Sequence, residues 1–388
     1  MGDYVSKNSF HIFTGLLLKM YLHKLSLVNF KNYKDAEFIF SDRINCFVGN
    51  NGVGKTNILD AIHYLALAKS YFNSIDSQNI NHSENFSIIQ GEFEKGKKTE
   101  NIYCGMQKNK RKQFKKNKKE YEKLSEHIGL FPLVMISPSD SNLINDGSEE
   151  RRRFINSVIS QYDRNYLNNV IQYNHALTQR NKLLKDLKTD FNFDRVVLSA
   201  WDEQLISFGE KIFEARKDFI EKLLPCFRDY HKIISDNKDD VKLFYQSQLF
   251  ENNMRELLEN SLRKDIILQY TTVGIHKDEL IMNLGEFPLK KTGSQGQQKT
   301  FLVALKLAKF DFIKKMSEIV PILLLDDIFD KFDPLRVEQI IRLVAENNFG
   351  QIFITDTNES HLKNILSKIK IDHKIFSITE DQKISVLS

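Results

Sequence analysis

A glycine-rich segment at residues 49–56 constrains the fold of this chain more than any other feature of its sequence. The segment fits the pattern G-x-x-x-x-G-K-[ST] and consists of Gly49, Asn50, Asn51, Gly52, Val53, Gly54, Lys55 and Thr56. The apolar run 44–48 before it predicts a buried strand, and residues 57–68 after it predict a helix with one apolar face. A strand, this loop and a helix in that order predict a P-loop.

The residue types in this loop match the needs of a bound triphosphate. Glycines let the backbone bend so that successive N–H groups point at the phosphates, and the start of the helix adds partial positive charge. Lys55 is expected to reach the β- and γ-phosphates, and the Thr56 hydroxyl is expected to ligate Mg²⁺. A chance glycine-rich turn is the alternative, but it does not explain the match in this strand–loop–helix setting. We therefore predict that the chain binds a nucleoside triphosphate with Mg²⁺.

The overall composition excludes several classes of protein. A chain of 388 residues with 41% hydrophobic and 28% charged residues is typical of a globular protein, with room for roughly two or three domains. Its formal net charge is only +5, so any surface for a polyanion must be a local patch. Cys46, Cys104 and Cys226 are far apart, which argues against a disulfide framework or zinc site and favours a reducing, cytoplasmic location. No run of about 18 apolar residues occurs, so we expect no membrane-spanning helix.

The pattern along the chain predicts four regions. Residues 1–19 hold a short apolar stretch without a signal-peptide cleavage site, and we expect a disordered extension. Residues 20–139 are rich in predicted strands around the P-loop helix, and residues 140–265 are mostly amphipathic helices. Residues 266–388 alternate strands and helices, and their continuous apolar strands indicate a parallel sheet covered on both faces. The predicted fold class is therefore α/β with an inserted α-helical lobe.

The expected elements of the second half can be given as ranges. The helices of the insertion are predicted at residues 149–161, 164–186, 195–227 and 248–260. Strands are predicted at 266–271, 279–283, 321–325 and 351–355, and further helices at 297–315, 334–347 and 361–368.

Two aspartates follow the apolar strand at 321–325. Because the carboxyl ends of parallel strands form the ligand-binding edge of an α/β sheet, Asp326 is expected to hold the same Mg²⁺ as Thr56. Asp327, one residue further on, is placed to polarise an attacking water. An ordinary core strand that ends in a polar turn is the alternative. The presence of a P-loop favours the metal-binding interpretation, which makes this segment a Walker B strand.

A third candidate segment begins the helix before the Walker B strand and consists of Ser294, Gln295, Gly296 and Gln297, followed by Gln298. Ser294 is a favourable N-cap, and Gly296 permits close approach of an anion to the backbone. Taken alone, the segment would be a capped helix start. A P-loop near the N-terminus and a Ser-x-Gly-Gln segment just before Walker B are the layout of ABC-type ATPases. In that class this signature segment faces a nucleotide bound to the P-loop of a second subunit, and a D-loop is expected at 330–333.

Two basic clusters are candidates for contact with nucleic-acid phosphates. Residues 108–119 contain eight Lys or Arg in twelve positions, although a solvated hairpin tip is the more ordinary explanation. Arg151, Arg152 and Arg153 are the second cluster, and ion pairing with Glu149 and Glu150 is an equally good explanation for them. No base-reading motif is visible, so we expect recognition of backbone or shape rather than sequence.

Residues 20–388 resemble the RecF family, a bacterial recombination-repair branch of the SMC/Rad50-like ABC ATPases. The motifs that carry the resemblance are the P-loop, residues 27–33, 151–154, 179–181, 201–205, 276–278, 294–300 and 324–327, and Tyr173, Gly209 and Gly274. The resemblance implies an ABC-type ATPase head, with a mixed β-sheet and flanking helices around the P-loop, that carries the helical lobe as an arm. This chain departs from the family pattern at Ile275, Lys299 and 331–333, and it lacks a switch histidine after the strand at 351–355, where Thr355, Asp356 or Thr357 are candidates.

The resemblance also implies a function in recombinational repair and replication-fork maintenance. Two copies would sandwich ATP, clamp DNA near single-strand gaps and help RecO and RecR to load RecA. Weak, DNA-stimulated ATP hydrolysis would reset the dimer, with catalytic roles for Lys55 and Asp327.

Two alternatives belong to other classes of ATPase. A chromosome or nuclease-associated ATPase of the SMC/Rad50 type needs coiled coils of hundreds of residues, and the helical block shows no sustained heptad repeat. A nucleotide-binding subunit of a transporter would carry a Leu-Ser-Gly-Gly-Gln signature, which this sequence lacks.

Overall fold

Three sheets organise the residues that the computed structural model describes, which are 17–186, 195–327, 339–340, 343–344, 349–367 and 371–387. The strands are β1 (Met20–Phe30), β2 (Tyr33–Ile39), β3 (Ile44–Val48), β4 (Phe86–Lys95), β5 (Lys98–Gln107), β6 (Gln113–Lys116), β7 (Lys119–Glu120), β8 (Leu133–Ile136), β9 (Val241–Gln246), β10 (Glu279–Leu284), β11 (Phe287–Pro288), β12 (Ile322–Leu325), β13 (Ile352–Asp356), β14 (His373–Ile378) and β15 (Ile384–Val386). The helices are α1 (Lys55–Leu67), α2 (Asn142–Asn145), α3 (Ser148–Ile159), α4 (Arg164–Asp186), α5 (Arg195–Ser235), α6 (Met254–Leu268), α7 (Leu289–Thr292), α8 (Gln295–Ser317) and α9 (Glu359–Ser367).

The predicted P-loop strand β3 lies inside a six-stranded sheet with the order β15-β14-β3-β13-β12-β8. All neighbours in this sheet are parallel except β15, which pairs antiparallel with β14. Every residue of β3, β8, β12 and β13 is buried, as expected for strands covered on both faces. The predicted parallel sheet is thus confirmed. Its topology brings the carboxyl ends of these strands to one edge, where α/β folds bind ligands.

A second six-stranded sheet is antiparallel and has the order β2-β1-β4-β5-β6-β7. Helix α1 contacts strands of both large sheets, and nearly all of its residues are buried. Aromatic rings also join the two sheets: the centroids of Phe40 and Phe353 are 4.9 Å apart, and those of Phe38 and Phe376 are 5.8 Å apart. The helix that follows the P-loop is therefore fixed from both sides.

The helical insertion agrees with the sequence prediction in its first half and departs from it in the second. Helices α3 and α4 match the predicted ranges closely, but α5 continues through Pro225 to Ser235, eight residues beyond the predicted end at residue 227. The predicted helix at 248–260 is shifted, because Asn253 caps α6 by accepting a hydrogen bond from the N–H of Glu256.

Two strand assignments in this region were wrong. Residues 266–268 end helix α6 instead of starting a strand, although isoleucine favours strands. Conversely, residues 241–246 of the predicted helical block form β9, which pairs antiparallel with β10. The small sheet β11-β10-β9 therefore joins the helical insertion to the segment that leads into α8.

Buried arginines hold the helices of the insertion together. The guanidinium of Arg216 donates to Asp278 Oδ2 at 2.7 Å and to the carbonyl of Ile275 at 2.8 Å, and Tyr245 also donates to Asp278. Arg180 pairs in the same way with Asp202 at 2.6 Å and Asp265 at 2.7 Å, which connects α4, α5 and α6. Burial raises the pKa of Asp278 above its ordinary value, although Arg216 opposes that shift.

Some sequence predictions concern residues that the structure does not describe. They are the extension up to residue 16, the D-loop at 330–333 and most of the helix at 334–347. The last residues of the extension predicted for 1–19 are described, and they make contacts with the rest of the chain. Leu18 forms a parallel bridge with Ile319, and Lys19 pairs with Asp42. Of the helices described here, none is both long and apolar enough to span a lipid bilayer.

Replacement of Arg216 by methionine should destabilise the protein strongly. The change leaves the buried Asp278 carboxylate without its cationic partner, which costs about 3–5 kcal/mol in the free energy of unfolding. The loss should shrink as the pH falls, because protonated Asp278 no longer needs a cation. Urea unfolding at several pH values measures both effects. Lys222→Met, which removes an exposed pair with Asp218, is the matched control and should cost less than about 0.5 kcal/mol; equal losses in the two variants would contradict this account.

Candidate nucleotide-binding site

The loop between β3 and α1 has the backbone that a P-loop requires. Gly49 and Gly54 adopt φ angles of +151° and +111°, which side-chain-bearing residues rarely tolerate. A Cβ atom on Gly49 would lie 2.3 Å from the carbonyl oxygen of Ile378, and one on Gly54 would lie 2.4 Å from Asn32 Nδ2. Both positions therefore need glycine for two reasons, backbone conformation and space.

Lys55 is folded back over its own loop. Its Nζ donates to the carbonyl oxygen of Gly49 at 2.7 Å and to that of Asn50 at 2.9 Å. Burial lowers the pKa of Lys55, while the negative charges of three aspartates at the sheet edge, Asp327, Asp326 and Asp356, oppose that shift. The ammonium group thus lies between the loop backbone and the carboxylates, where the phosphates of a nucleotide are expected.

The structure joins the P-loop to the Walker B strand by a direct hydrogen bond. Thr56 Oγ1 donates to Asp326 Oδ1 at 2.8 Å, and Ser137 Oγ donates to the other carboxylate oxygen at 3.3 Å. Burial, helped by the neighbouring Asp327, raises the pKa of Asp326.

One carboxylate beside one hydroxyl is a set of hard oxygen donors that fits Mg²⁺. This ion uses one or two protein oxygens and completes its shell with phosphates and water. No cluster of three or more acidic, histidine or cysteine side chains that could hold a metal occurs in the described ranges. The partial ligand set therefore suits an ion that arrives together with a nucleotide.

Asp327 follows Asp326 in a left-handed backbone conformation, with φ of +41°. Its N–H donates to Thr355 Oγ1 at 2.8 Å, and the Thr355 hydroxyl lies 3.0 Å from Asp326 Oδ1 and 3.3 Å from Asp327 Oδ1. Thr355 is fully buried at the end of β13. Of the three candidates for a switch residue, the sequence left the choice open, and Thr355 is the one that contacts both aspartates in the structure.

Asn32 also shapes this site, although the sequence indicated it only as part of the segment 27–33. Its Nδ2 donates to the carbonyl oxygen of Val53 at 2.9 Å, and its Oδ1 accepts from Asn57 Nδ2 at 2.7 Å. The turn between β1 and β2 is thereby tied to the P-loop and to the first turn of α1. These contacts are visible in the folded structure and could not be seen in the sequence.

The signature segment lies elsewhere on the molecule. Ser294 is the N-cap of α8, as predicted, and forms a capping box with Gln297. Ser294 and Gln295 are exposed, and no hydrogen bond recorded for the described residues joins 294–297 to the P-loop. A single chain thus connects Lys55 to Gly49 and Thr56 to Asp326, whereas the described residues show no hydrogen bond from the signature segment to this group.

The body of α8 is nevertheless connected to the Walker B region. Lys306, in the middle of α8, donates to Asp140 Oδ1 at 2.5 Å, and Asp140 Oδ2 accepts from the N–H of Ser137 at 2.9 Å. Ser137 in turn contacts Asp326. The sequence gave no sign of this buried ion pair, because its two members lie 166 residues apart.

Comparison with known proteins gives the family of the chain. Residues 21–383 match the model of the RecF/RecN/SMC N terminal domain. The chain is 50% identical over 365 residues to the DNA replication and repair protein RecF of Phocaeicola vulgatus, covering 94% of this chain and 98% of the relative. It is 52% identical over 362 residues to RecF of Bacteroides thetaiotaomicron, covering 93% and 97%. The chain belongs to the RecF family of DNA replication and repair proteins.

Solved structures place the fold within the same family. The recombination mediator protein RecF-ATP in the RecFOR pathway superposes with a TM-score of 0.86 and 26% identity, covering 97% of this chain and all of the other. The head domain of Smc from Pyrococcus furiosus superposes with a TM-score of 0.56 at 18% identity, which shows a shared fold alone. The ABC-type ATPase head predicted from the sequence is thus confirmed.

The three arginines proposed for DNA contact have internal partners. Arg151 forms a bidentate pair with Glu279 at 2.5 and 2.9 Å, and Arg152 donates to the carbonyl oxygen of Asp278 at 2.8 Å. Arg153 pairs with Glu149 and Glu150, both at 2.6 Å, as the alternative interpretation expected. Arg151 and Arg152 are half-buried, whereas the Arg153 side chain is 64% exposed and is the most accessible of the three to a further partner.

The lysine-rich segment 108–119 contributes β6 and β7 at the edge of the antiparallel sheet. Lys112 and Lys116 have internal partners, Asp76 and Glu100 respectively. Lys110, Arg111, Lys118 and Lys119 are exposed. A hairpin tip with several solvated cations is therefore present, and its contact with DNA remains a prediction.

Replacement of Thr355 by valine should damage the site without changing its shape. Valine is close in size but leaves the N–H of Asp327 without its Thr355 acceptor and removes one of the three hydroxyl groups that contact Asp326, which costs about 1–3 kcal/mol of stability. We expect a lower urea midpoint and slower ATP turnover. Thr357→Val, at an exposed position, is the matched control. A larger effect at Thr357 than at Thr355 would contradict the assignment.

Proposed function

We propose that this protein is an ATP-controlled DNA clamp that acts as a homodimer in recombinational repair. The observation that carries the proposal is the exposed start of α8, which no hydrogen bond among the described residues connects to the P-loop. The P-loop and the Walker B aspartates are assembled around Thr56 and Asp326, while Ser294 is exposed at the start of α8. A second copy can supply the missing half of each site, so that two ATP molecules lie between two chains.

The residues of the first half-site have separate tasks in binding. The N–H groups of the P-loop and Lys55 bind the phosphates, and Thr56 with Asp326 would hold Mg²⁺. Mg²⁺, when bound, neutralises phosphate charge and supplies Lewis-acid polarisation of the phosphoryl oxygens. The solved relative RecF-ATP binds ATP, which supports the same ligand here.

ATP hydrolysis opens the clamp and releases DNA. Asp327 orients and polarises the attacking water, with its backbone held by Thr355. Because the γ-phosphate contacts the P-loop of one chain and the Ser294 segment of the other, its loss removes the contact that closes the dimer. The dimer is then a two-state interface that ATP biases toward closure. We expect weak ATP turnover that DNA stimulates.

DNA binding is expected to be independent of sequence. Arg153 and the exposed cations of the hairpin at 108–119 can contact phosphates, and no base-reading motif is present in the sequence. By family membership we infer a cytoplasmic protein that acts with RecO and RecR to load RecA at single-strand gaps. The RecFOR pathway named for the solved relatives supports these partners.

The clamp should retain DNA in an ATP-dependent manner. ATP is expected to tighten binding to gapped or duplex DNA, and Lys55→Ala should abolish this gain because the phosphates lose their ammonium partner. Fluorescence anisotropy with duplex, gapped and single-stranded DNA across a salt series measures the affinity, and the salt slope reports the number of phosphate contacts. Lys97→Ala, in the exposed turn between β4 and β5, is the matched control. A Lys55→Ala variant that keeps the ATP effect would refute the proposal.

Replacement of Asp327 by asparagine should separate ATP binding from hydrolysis. The amide keeps the size of the side chain but cannot act as a base, so turnover should fall by about 10²–10⁴-fold. Closed dimer should accumulate with ATP and be visible by light scattering. Asp381→Asn, in an exposed turn, should turn over ATP at the normal rate. Normal turnover in Asp327→Asn would move the water-polarising role to another residue.

A further inference from the structure

The signature segment has a contact from the helical insertion. Gln297 Oε1 accepts a hydrogen bond from the N–H of Ser294 at 2.9 Å, and Gln297 Nε2 donates to Asp239 Oδ1 at 2.8 Å. Asp239 lies in the short connection between α5 and β9 and is partly buried. Nothing in the sequence motifs of the ATPase head assigns a role to this aspartate.

These two hydrogen bonds fix the orientation of the Gln297 amide. A carboxylate oxygen can only accept, and a backbone N–H can only donate. If the amide turned over, its Oε1 would face the Asp239 carboxylate and its NH₂ group would face the Ser294 N–H, so both contacts would become repulsive. Asp239 therefore selects one orientation of Gln297 and thereby maintains the capping box.

The capping box in turn sets the direction of the Ser294 hydroxyl. Ser294 Oγ accepts a hydrogen bond from the N–H of Gln297 at 3.2 Å. Its lone pair is thus directed to the helix, and its hydrogen is free to be donated away from it. That is the arrangement needed to donate to a phosphate presented by another molecule.

The elements on both sides of the connection that carries Asp239 are packed against the rest of the chain. Helix α5 packs along α8, with Phe227 and Phe301 rings 4.8 Å apart and Tyr230 donating to Asp311 at 2.5 Å. On the other side, the N–H of Gly285 donates to the carbonyl oxygen of Asp240 at 2.7 Å, which ties the connection to β10. The connection that carries Asp239 is therefore anchored at α5 on one side and at β10 on the other.

We propose that Asp239 is a positioning residue for the signature segment. By holding the Gln297 amide, it orients Ser294 toward the γ-phosphate bound to a second copy of the chain. This inference rests on the proposed function, since it concerns the second half of the composite ATP site. It assigns to the helical insertion a direct part in closing the dimer.

The first test compares variants at Asp239 in ATP-dependent dimerisation. Asp239→Ala should weaken the dimer by about tenfold, the effect of losing one hydrogen bond to a charged group. Asp239→Asn keeps an acceptor oxygen and should stay within about threefold of the wild type. Asp240→Ala, the exposed neighbour, is the matched control. Sedimentation velocity with ATP gives the dimer dissociation constant. Nucleotide binding to the monomer should not change in any variant, and the melting temperature should fall by no more than about 4 °C, as expected for the loss of one intramolecular hydrogen bond.

The asparagine variant distinguishes loss of the specific contact from general misfolding. A stable Asp239→Asn protein whose dimer is as weak as that of Asp239→Ala would overturn the proposal. So would an Asp239→Ala protein that dimerises normally with ATP.

The second test mixes two defective chains. Lys55→Ala impairs the P-loop half and Asp239→Ala impairs the signature half, so each variant alone should turn over little ATP at low protein concentration. In a mixed dimer, the P-loop of the Asp239→Ala chain meets the intact signature segment of the Lys55→Ala chain. The mixture should therefore regain turnover, and no gain would contradict the role of Asp239 in a site shared between two chains.

A parallel mixture separates failure of this inference from failure of the proposed function. Ser294→Arg blocks the signature segment directly and should complement Lys55→Ala in the same way. If the Ser294→Arg mixture regains turnover and the Asp239→Ala mixture does not, only the role of Asp239 is refuted. If neither mixture regains turnover, the composite site itself is refuted.

Discussion

The hydrogen bond between Thr56 and Asp326 is the interaction on which the rest of the site depends. It joins two residues 270 positions apart, and it exists because β13 alone separates β3 from β12 in the parallel sheet. The two loops that follow these strands therefore meet at the same edge. The insertion of the helical arm between them leaves this meeting unchanged, since the chain enters the arm after the edge strand β8 and returns to the sheet at the neighbouring strand β12.

Helix α8 connects this site to the arm. Its middle, from Thr300 to Ile313, is almost entirely buried, whereas Gln295 at its start is exposed and residues 296–299 are half-buried. One side contacts the Walker B region through Lys306 and Asp140, and another packs along α5. A helix held on several sides moves as a rigid body with its neighbours. The Ser294 end therefore belongs to a helix that contacts both the arm and the Walker B region of the same chain.

Local patterns predicted the parts of this structure that depend on local chemistry. The P-loop, the buried strands and the Ser294 cap follow from residue types at fixed spacing, and all three are present in the structure. Contacts that depend on distant residues were not predictable: Arg151 pairs with Glu279, 128 positions away, and Thr355 reaches Asp327 only because β13 lies beside β12. The errors at β9 and α6 have the same origin, because pairing with β10 and a cap at Asn253 override the intrinsic preferences of the residues.

Under the proposed function, the charges around Lys55 favour joint binding of nucleotide and cation. Three carboxylates, those of Asp326, Asp327 and Asp356, act on the Lys55 ammonium at the edge of the sheet. A triphosphate that entered this edge alone would face their repulsion at low dielectric, and one lysine does not offset it. A divalent cation held by Thr56 and Asp326 would reverse the balance, because it would neutralise charge on both the protein carboxylate and the phosphates. In the proposed dimer, the same electrostatics would couple hydrolysis to opening, since loss of the γ-phosphate removes the anion that the N-terminus of α8 in a second copy would bind.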